Sequence, residues 1–189
     1  AVDAEHLIVL SKRDEVQVFN INKGGVALRS QFVQKDAVAV ALYRDSVFVA
    51  AQKGRQLEVM DLDGTQQFSL SYSDAPITHL SVNSDFLAVA TSGKDVHLLD
   101  VTTGEPQEVG NPVQLDDAVG SIVGISCNAD GSWVSAKVDG GTTSSSAIQL
   151  CNFSGGTSTA SSSERVVAAA LPSDMSASAL RSHFGDPAE

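Results

Sequence analysis

The stretch DVHLLDVTTG (95–104) decides how this chain is read. An alternating apolar run closes on an acid, adds one more apolar residue, and stops at a turn containing glycine. The same phrase occurs as EVQVFNINKG (15–24), QLEVMDLDG (56–64) and AIQLCNFSGG (147–156). Period-two alternation with β-branched residues marks strands rather than helices. The closing polar residues are Asn20, Asp61, Asp100 and Asn152, at intervals of about 40, 40 and 50 residues, the period of propeller blades.

Other strands fall into step. Before each run lies a more apolar one: HLIVL (6–10), VFVAA (47–51), FLAVA (86–90) and WVSAKV (133–138). Before three of those come VAVAL (38–42), ITHLSV (77–82) and IVGISC (122–127), joined by turns of the type YRDS, NSD and NADGS. Asp63-Gly64 and Asp130-Gly131 are strong turn pairs. More polar fourth strands are expected at GVALRSQFV (25–33), TQQFSLSY (65–72) and PQEVGNPVQL (106–115).

Grading from apolar to polar across four strands suits radially stacked sheets, whose inner strands are sandwiched while the outer one meets water. The expectation is an all-β fold: part of a β-propeller with four-stranded antiparallel blades, a partial blade at 1–33, blades at 34–72, 73–115 and 118–171, and a tail, 172–189, leading to a next one. A non-repetitive β-sandwich or barrel is the alternative. Propellers close with about four to eight blades, so this chain is expected to be an arc of a longer protein, leaving two apolar faces to be covered. Its first residue is Ala, not Met, which fits a piece of something longer. Gly/Ser/Thr-rich stretches at 139–146 and 154–163 read as loops, and ERVVAAAL (164–171) as a strand or a helical turn.

Composition narrows the function. The 189 residues carry a formal charge of −11, which disfavours polyanionic partners, so neither nucleic acid nor direct membrane binding is expected. The longest apolar runs, AVAVAL (37–42) and VVAAAL (166–171), fall far short of a bilayer span. Two cysteines form no disulfide framework and, with no leader-like opening, favour a reducing intracellular setting. Cys127 and Cys151 fall on the first and third strands of one blade, about 9–10 Å apart, beyond the ~7 Å reach of a bridge.

Catalytic patterns fail one after another. GISCN (124–128) lacks the last glycine of a nucleophile elbow and lies in a strand. DLDGTQQFSL (61–70) lacks the later acidic ligands of a calcium loop. His6, His79, His97 and His183 have no zinc-type companions; His79 and His97 are expected on strands, one ring edge reaching solvent or a backbone carbonyl. No enzyme activity, metal or cofactor is expected. The candidate contacts are basic residues in turns between second and third strands: Lys12, Arg13, Lys53, Arg55 and Lys94, expected along one rim.

The usual Trp-Asp dipeptide of WD repeats is replaced by Phe19-Asn20, Met60-Asp61, Leu99-Asp100 and Cys151-Asn152, so the blades resemble the degenerate WD-like ones of coat-like and intraflagellar transport subunits. In order, AVDAEHLIVLSKRDEVQVFNI, SVNSDFLAVATSGKDVHLLDVTTGEP, GSIVGISCNADGSWVSA and SHFGDPAE are similar to the second propeller of a subunit of the IFT-A complex, with Gly185 where that family carries Trp. The resemblance implies a scaffold with two propellers and a helical repeat solenoid. Its partners would be other IFT-A subunits and the neighbouring propeller or helical repeat of the same protein, with membranes reached only through cargo. It implies a place in the cilium or flagellum, basal body and cytoplasm. A propeller of another coat-like trafficking complex, or a ligand-binding propeller sensor, is the alternative reading.

Overall fold

The computed structural model describes residues 1–3, 5–72, 74–115, 120–139, 147–153 and 163–166. Among the described residues sixteen strands form four antiparallel sheets. The first holds β1 (His6–Leu10), β2 (Glu15–Asn22) and β3 (Gly25–Val33). The second runs β4 (Ala39–Tyr43), β5 (Ser46–Ala51), β6 (Gln56–Asp61), β7 (Gln66–Ser71). In the third, β8 (Ile77–Asn83), β9 (Phe86–Thr91) and β10 (Asp95–Asp100) are edged by two fragments, β11 (Gln107–Glu108) and β12 (Val113–Gln114). The fourth runs β13 (Ile122–Cys127), β14 (Trp133–Val138), β15 (Ala147–Asn152), β16 (Ser163–Val166). Residues 1–3 lie beside β1, Val2 pairing Leu7, where the other sheets have their innermost strand. Among the described residues no helix is long and apolar enough to cross a membrane.

The core is three layers, one between each pair of neighbouring sheets. Ile8, Val16 and Val18 meet Val47, Val49 and Met60 in the first layer. Phe48, Ala50, Leu57 and Val59 meet Leu87, Val89 and Leu99 in the second. Ala88, Ala90, Val96 and Leu98 meet Val134, Ala136, Val138 and Cys151 in the third. Successive residues of β5 therefore feed different layers, as alternation in a strand demands. This is why VFVAA and FLAVA are apolar throughout: both faces of β5 and β9 are covered. WVSAKV alternates because only one face of β14 is.

The residue after each closing Asn or Asp explains the repeated phrase. Leu62, Val101 and Phe153 are buried in the first, second and third layers, each packed toward the preceding sheet. The acid itself caps the turn. Asp61 Oδ1 accepts the backbone N–H of Asp63 at 3.0 Å and of Thr65 at 2.8 Å, and Asp100 Oδ1 accepts that of Thr102 at 2.8 Å. The Asp61 bonds, and at Asp100 first the Thr102 hydroxyl at 2.6 Å and then this N–H, hold both carboxyls below their ordinary pKa. In the first sheet the cap moves to Asn22, whose Oδ1 accepts the Gly24 N–H at 2.9 Å.

Polar stitches fix how the sheets lie against one another. The Ser30 hydroxyl donates to the Leu62 carbonyl, and the Tyr43 hydroxyl to Asp85. Asn83 Nδ2 donates to the Cys127 carbonyl at 2.9 Å. On the uncovered face of the first sheet, the cross-strand row Val2, Leu7, Phe19, Leu28 ends on exposed Val2 and Leu28. That is the apolar face expected of an arc.

Two elements differ from the sequence reading. The single fourth strand expected over 106–115 is broken. Between β11 and β12 the chain turns through Gly110, with φ at +72°, and Pro112, which has no N–H to donate. At the far end, Ser163–Val166 is a strand along β15, so of the two readings for 164–171 the strand holds for residues 164–166, and Ser163 lies in that strand, not in the loop. Residues 140–146 and 167–189, including the SHFGDPAE segment, lie outside the described residues.

One carboxylate is buried between the first two sheets. Glu58 is 5 % exposed and accepts a hydrogen bond from Gln34 Nε2 at 2.5 Å. Burial pushes its carboxyl up, against the lowering effect of that bond. A raised folded-state pKa contributes stability that is full below the unfolded value of 4.5 and is lost as pH rises through the raised one. At neutral pH the ionised group is therefore a cost. Glu58→Gln keeps an oxygen for Gln34 and removes the charge. It should raise the unfolding free energy at pH 7 by about 0.5–1 kcal/mol and change nothing near pH 4, measured by denaturant melts at both values.

Candidate interaction surface

The five basic residues sit in three turns that join second to third strands, and backbone hydrogen bonds join those turns into one rim. In the first turn the Ser11 hydroxyl accepts the Arg13 N–H at 3.1 Å, and Asp14 takes φ +61°. The Asp14 carbonyl then accepts the Gln34 N–H at 2.7 Å, and the adjoining Lys35 and Asp36 carbonyls accept Gln52 at 3.1 Å and Lys53 at 2.8 Å. The second turn is thereby hung on the β3–β4 connector. Its three successive left-handed residues, Gln52, Lys53 and Gly54, have φ of +52°, +61° and +80°. The Gly54 carbonyl accepts the Ile77 N–H at 2.8 Å, and the Pro76 carbonyl accepts the Ser92 N–H at 2.8 Å, bringing in the third turn.

Along this rim Lys12, Arg13, Lys53 and Arg55 are exposed and Lys94 is half-buried. The expected shared edge is thus the observed one. Residues 34–36 and 76–77 carry its continuity, and nothing in their sequence pattern distinguishes them from ordinary links. The rim is mixed in charge, with Asp14, Glu15, Asp36 and Asp95 interleaved among the basic residues. Such an edge recognises shape and charge pattern rather than a bare polyanion.

Chemistry is sparse elsewhere. Ser126 lies within β13, where its carbonyl accepts the Ser135 hydroxyl at 3.2 Å, so it stands on no elbow. Among the described residues no three His, Cys, Asp or Glu side chains are grouped to hold a metal. Cys127 and Cys151 are free and buried, and each pairs Val134 from an opposite side, the two-strand separation expected. Burial pushes the Cys127 thiol up and that of Cys151 to about 12. Both stay protonated at neutral pH and pack as small apolar groups.

Both central histidines lie on strands, as expected, His79 on β8 and His97 on β10. His79 Nδ1 lies 3.0 Å from the hydroxyl of adjoining Thr78, and burial lowers its pKa. His97 Nδ1 lies 2.9 Å from Glu108 Oε1, and its ring meets Tyr72 edge to face at 5.2 Å. One ring nitrogen of each therefore faces a side chain.

Beneath that pair is a cleft of about 740 Å³ between the outer edges of the second and third sheets. The sequence signal for it is Gly110 and Pro112, which interrupt the strand expected over 106–115.

Comparison with solved structures recovers propellers. Kluyveromyces lactis Hsv2 matches with TM-score 0.61 at 13% identity, covering 82% of this chain and 48% of that one. BamB from Moraxella catarrhalis gives TM-score 0.60 at 16%, covering 88% and 47%. The computationally designed Ika8 protein gives 0.61 at 17%, covering 83% and 46%. The chain spans about half the length of these structures, and at such identities the likeness is one of fold. No curated protein sequence matches. A family model does: the one described as the IFT140 second beta-propeller aligns with residues 1–154, across the first three strand-turn phrases and most of the fourth. This chain belongs to the IFT140 second β-propeller family.

Proposed function

We propose that the chain is a non-enzymatic scaffold sector of the intraflagellar transport A complex, supporting retrograde transport and the trafficking of membrane proteins in cilia. The observation that carries this reading is the family match over residues 1–154. The propeller fold agrees with it, since stacked sheets give a stiff frame on which turns are held for partners. The blades divide at 1–33, 34–72, 73–115 and 118–171, followed by a tail over 172–189 that leads to a next blade. The partners are other IFT-A subunits and the adjoining propeller or helical repeat of the same polypeptide, and the site of action is the cilium, basal body and cytoplasm. Contact is made by the rim bearing Lys12, Arg13, Lys53, Arg55 and Lys94.

The test is affinity capture of IFT-A subunits by the full-length parent protein, with and without reversal of all five basic residues to Glu. Wild type should capture them, and the variant should lose roughly tenfold with its fold intact, since rim charges act on encounter and register. Wild-type protein that captures no IFT-A subunit contradicts the scaffold reading. Equal capture by the variant contradicts only the rim.

A further inference from the structure

We infer that the outer edge of β3 is a docking strand for an extended segment of a partner protein with aliphatic side chains at alternate positions. The inference rests on the scaffold reading and deepens it, assigning a contact made through backbone on the outside of the first sheet.

β3 is the outermost strand of its sheet and, at nine residues, the longest strand described. Among the described residues no strand lies beyond it, and no loop makes a backbone hydrogen bond to it. A row of open N–H and C=O groups at strand spacing is a template for another extended chain. The devices that usually blunt such an edge are weak here. β3 has no proline, and its one charge, Arg29, is drawn toward the second sheet, with Nε 3.3 Å from Asp63 Oδ1.

The edge is also apolar where stacking of sheets does not require it. Leu28 lies opposite Phe19; the matching residue is Gln66 opposite Met60 in the second sheet, and Glu108 opposite Leu99 in the third. Val33 lies opposite Glu15, matched by Ser71 opposite Gln56 and Gln114 opposite Asp95. These four counterparts are polar, and all stay exposed although a preceding sheet packs against that side of each strand pair. A preceding sheet thus accounts for Leu7 and Phe19. It does not account for Leu28 and Val33, which are 54% and 69% exposed. Val26, also exposed, stands on an extension of the hairpin. The β2–β3 ladder runs on through Ile21–Val26 and Asn22–Gly25, where β6 has already turned between Asp61 and Thr65.

This pattern selects the occupant. Val26, Leu28, Gln31 and Val33 share the open face, while Ser30 and Phe32 face the second sheet. An added strand lays its own alternate side chains beside that row, and aliphatic ones gain the contact. The bulge opposite Val18–Phe19 recurs opposite Val59–Met60, so it belongs to the sheet plan; it divides the edge into 25–28 and 30–33. A second copy pairing about the middle of β3 is disfavoured, because it sets Arg29 against Arg29.

The test pans a random peptide library of nine residues, the length of β3, against the full-length parent protein. Counter-selection uses the Val26→Lys, Leu28→Lys double variant, whose exposed positions leave the core layers intact. Recovered peptides should carry aliphatic residues at alternate positions and, as fluorescein conjugates, bind the double variant at least tenfold more weakly. Gln66→Lys, at the matching place in the second sheet, should bind them as wild type does. N-methylation of every other peptide amide should abolish binding in one phase and spare it in the other, since alternate amides of a strand point to opposite edges. Recovery of no binders, equal tolerance of both phases, or indifference to the double variant overturns the proposal. So does a Leu28→Cys thiol that maleimide fails to label in the parent protein, which assigns the edge to a preceding sheet. A dimer in light scattering that Leu28→Lys dissociates also overturns it, in favour of a second copy. Capture of IFT-A subunits by wild type is measured alongside. Capture without peptide binding sinks the edge alone, and peptide binding without capture sinks the scaffold reading alone.

Discussion

Phe48→Ala should lower the unfolding free energy of the propeller by about 3–5 kcal/mol, the cost of emptying a large aromatic site in a packed core. Phe48 is 1 % exposed and stands in the layer where the second sheet meets the third, among Ala50, Leu57, Val59, Leu87 and Val89. Two sheets that each present β-branched and leucine side chains cannot close over the hole without shifting as rigid bodies, and the Tyr43–Asp85 bond opposes that shift. The loss would be a large share of the roughly 5–15 kcal/mol that holds a domain together. Denaturant unfolding of the parent protein, with Phe68→Ala as the comparison, measures it. Phe68 is only half-buried, on the outer strand β7, and its truncation should cost about 1–2 kcal/mol, since less apolar area is lost from contact. Equal effects at the two positions would mean that the layer between the sheets is not the closed core described.

Gly54→Ala should be nearly as damaging, by a different route. Gly54 holds φ at +80°, and a Cβ there would lie 2.1 Å from the Ile77 carbonyl oxygen and 2.9 Å from its nitrogen. The obstacle is backbone of the next sheet, which no rotamer change removes. The left-handed conformation costs a non-glycine residue about 1–2 kcal/mol; relieving the overlap displaces Ile77 and its bond to the Gly54 carbonyl, for a total of about 3 kcal/mol. Gly104 is the natural control. Its φ is +84°, yet a Cβ there meets nothing within 4 Å, so Gly104→Ala should cost only the dihedral part, about 1 kcal/mol. The difference between the two melts isolates the contact that joins one sheet to the next.

The strand plan was legible because each sheet repeats one physical problem. A strand buried on both faces must be apolar at every position, and VFVAA and FLAVA say so in the sequence. A turn into an outer strand needs a cap and an anchor, and Asp61-Leu62 and Asp100-Val101 supply both. The rim was legible for the same reason: turns of one type in a repeated unit share an edge. The cleft was not. It lies beside a detour in the outer strand, and PQEVGNPVQL alternates well enough to hide Gly110 and Pro112 inside a strand-like frame. The His97–Glu108 bond was equally out of reach, because a two-residue fragment such as β11 has no periodicity to announce its register.

The claim on which the account rests is that the sheets are sectors side by side, so that neighbouring residues of one strand face different sheets. Methyl and aromatic NOEs in selectively labelled protein test this directly along β5. The account predicts that Val47 and Val49 show cross-peaks to Ile8 and Val16, while Phe48 and Ala50 show cross-peaks to Leu87 and Val89. Cross-peaks from both pairs to the same sheet, or one pair facing solvent, would contradict it.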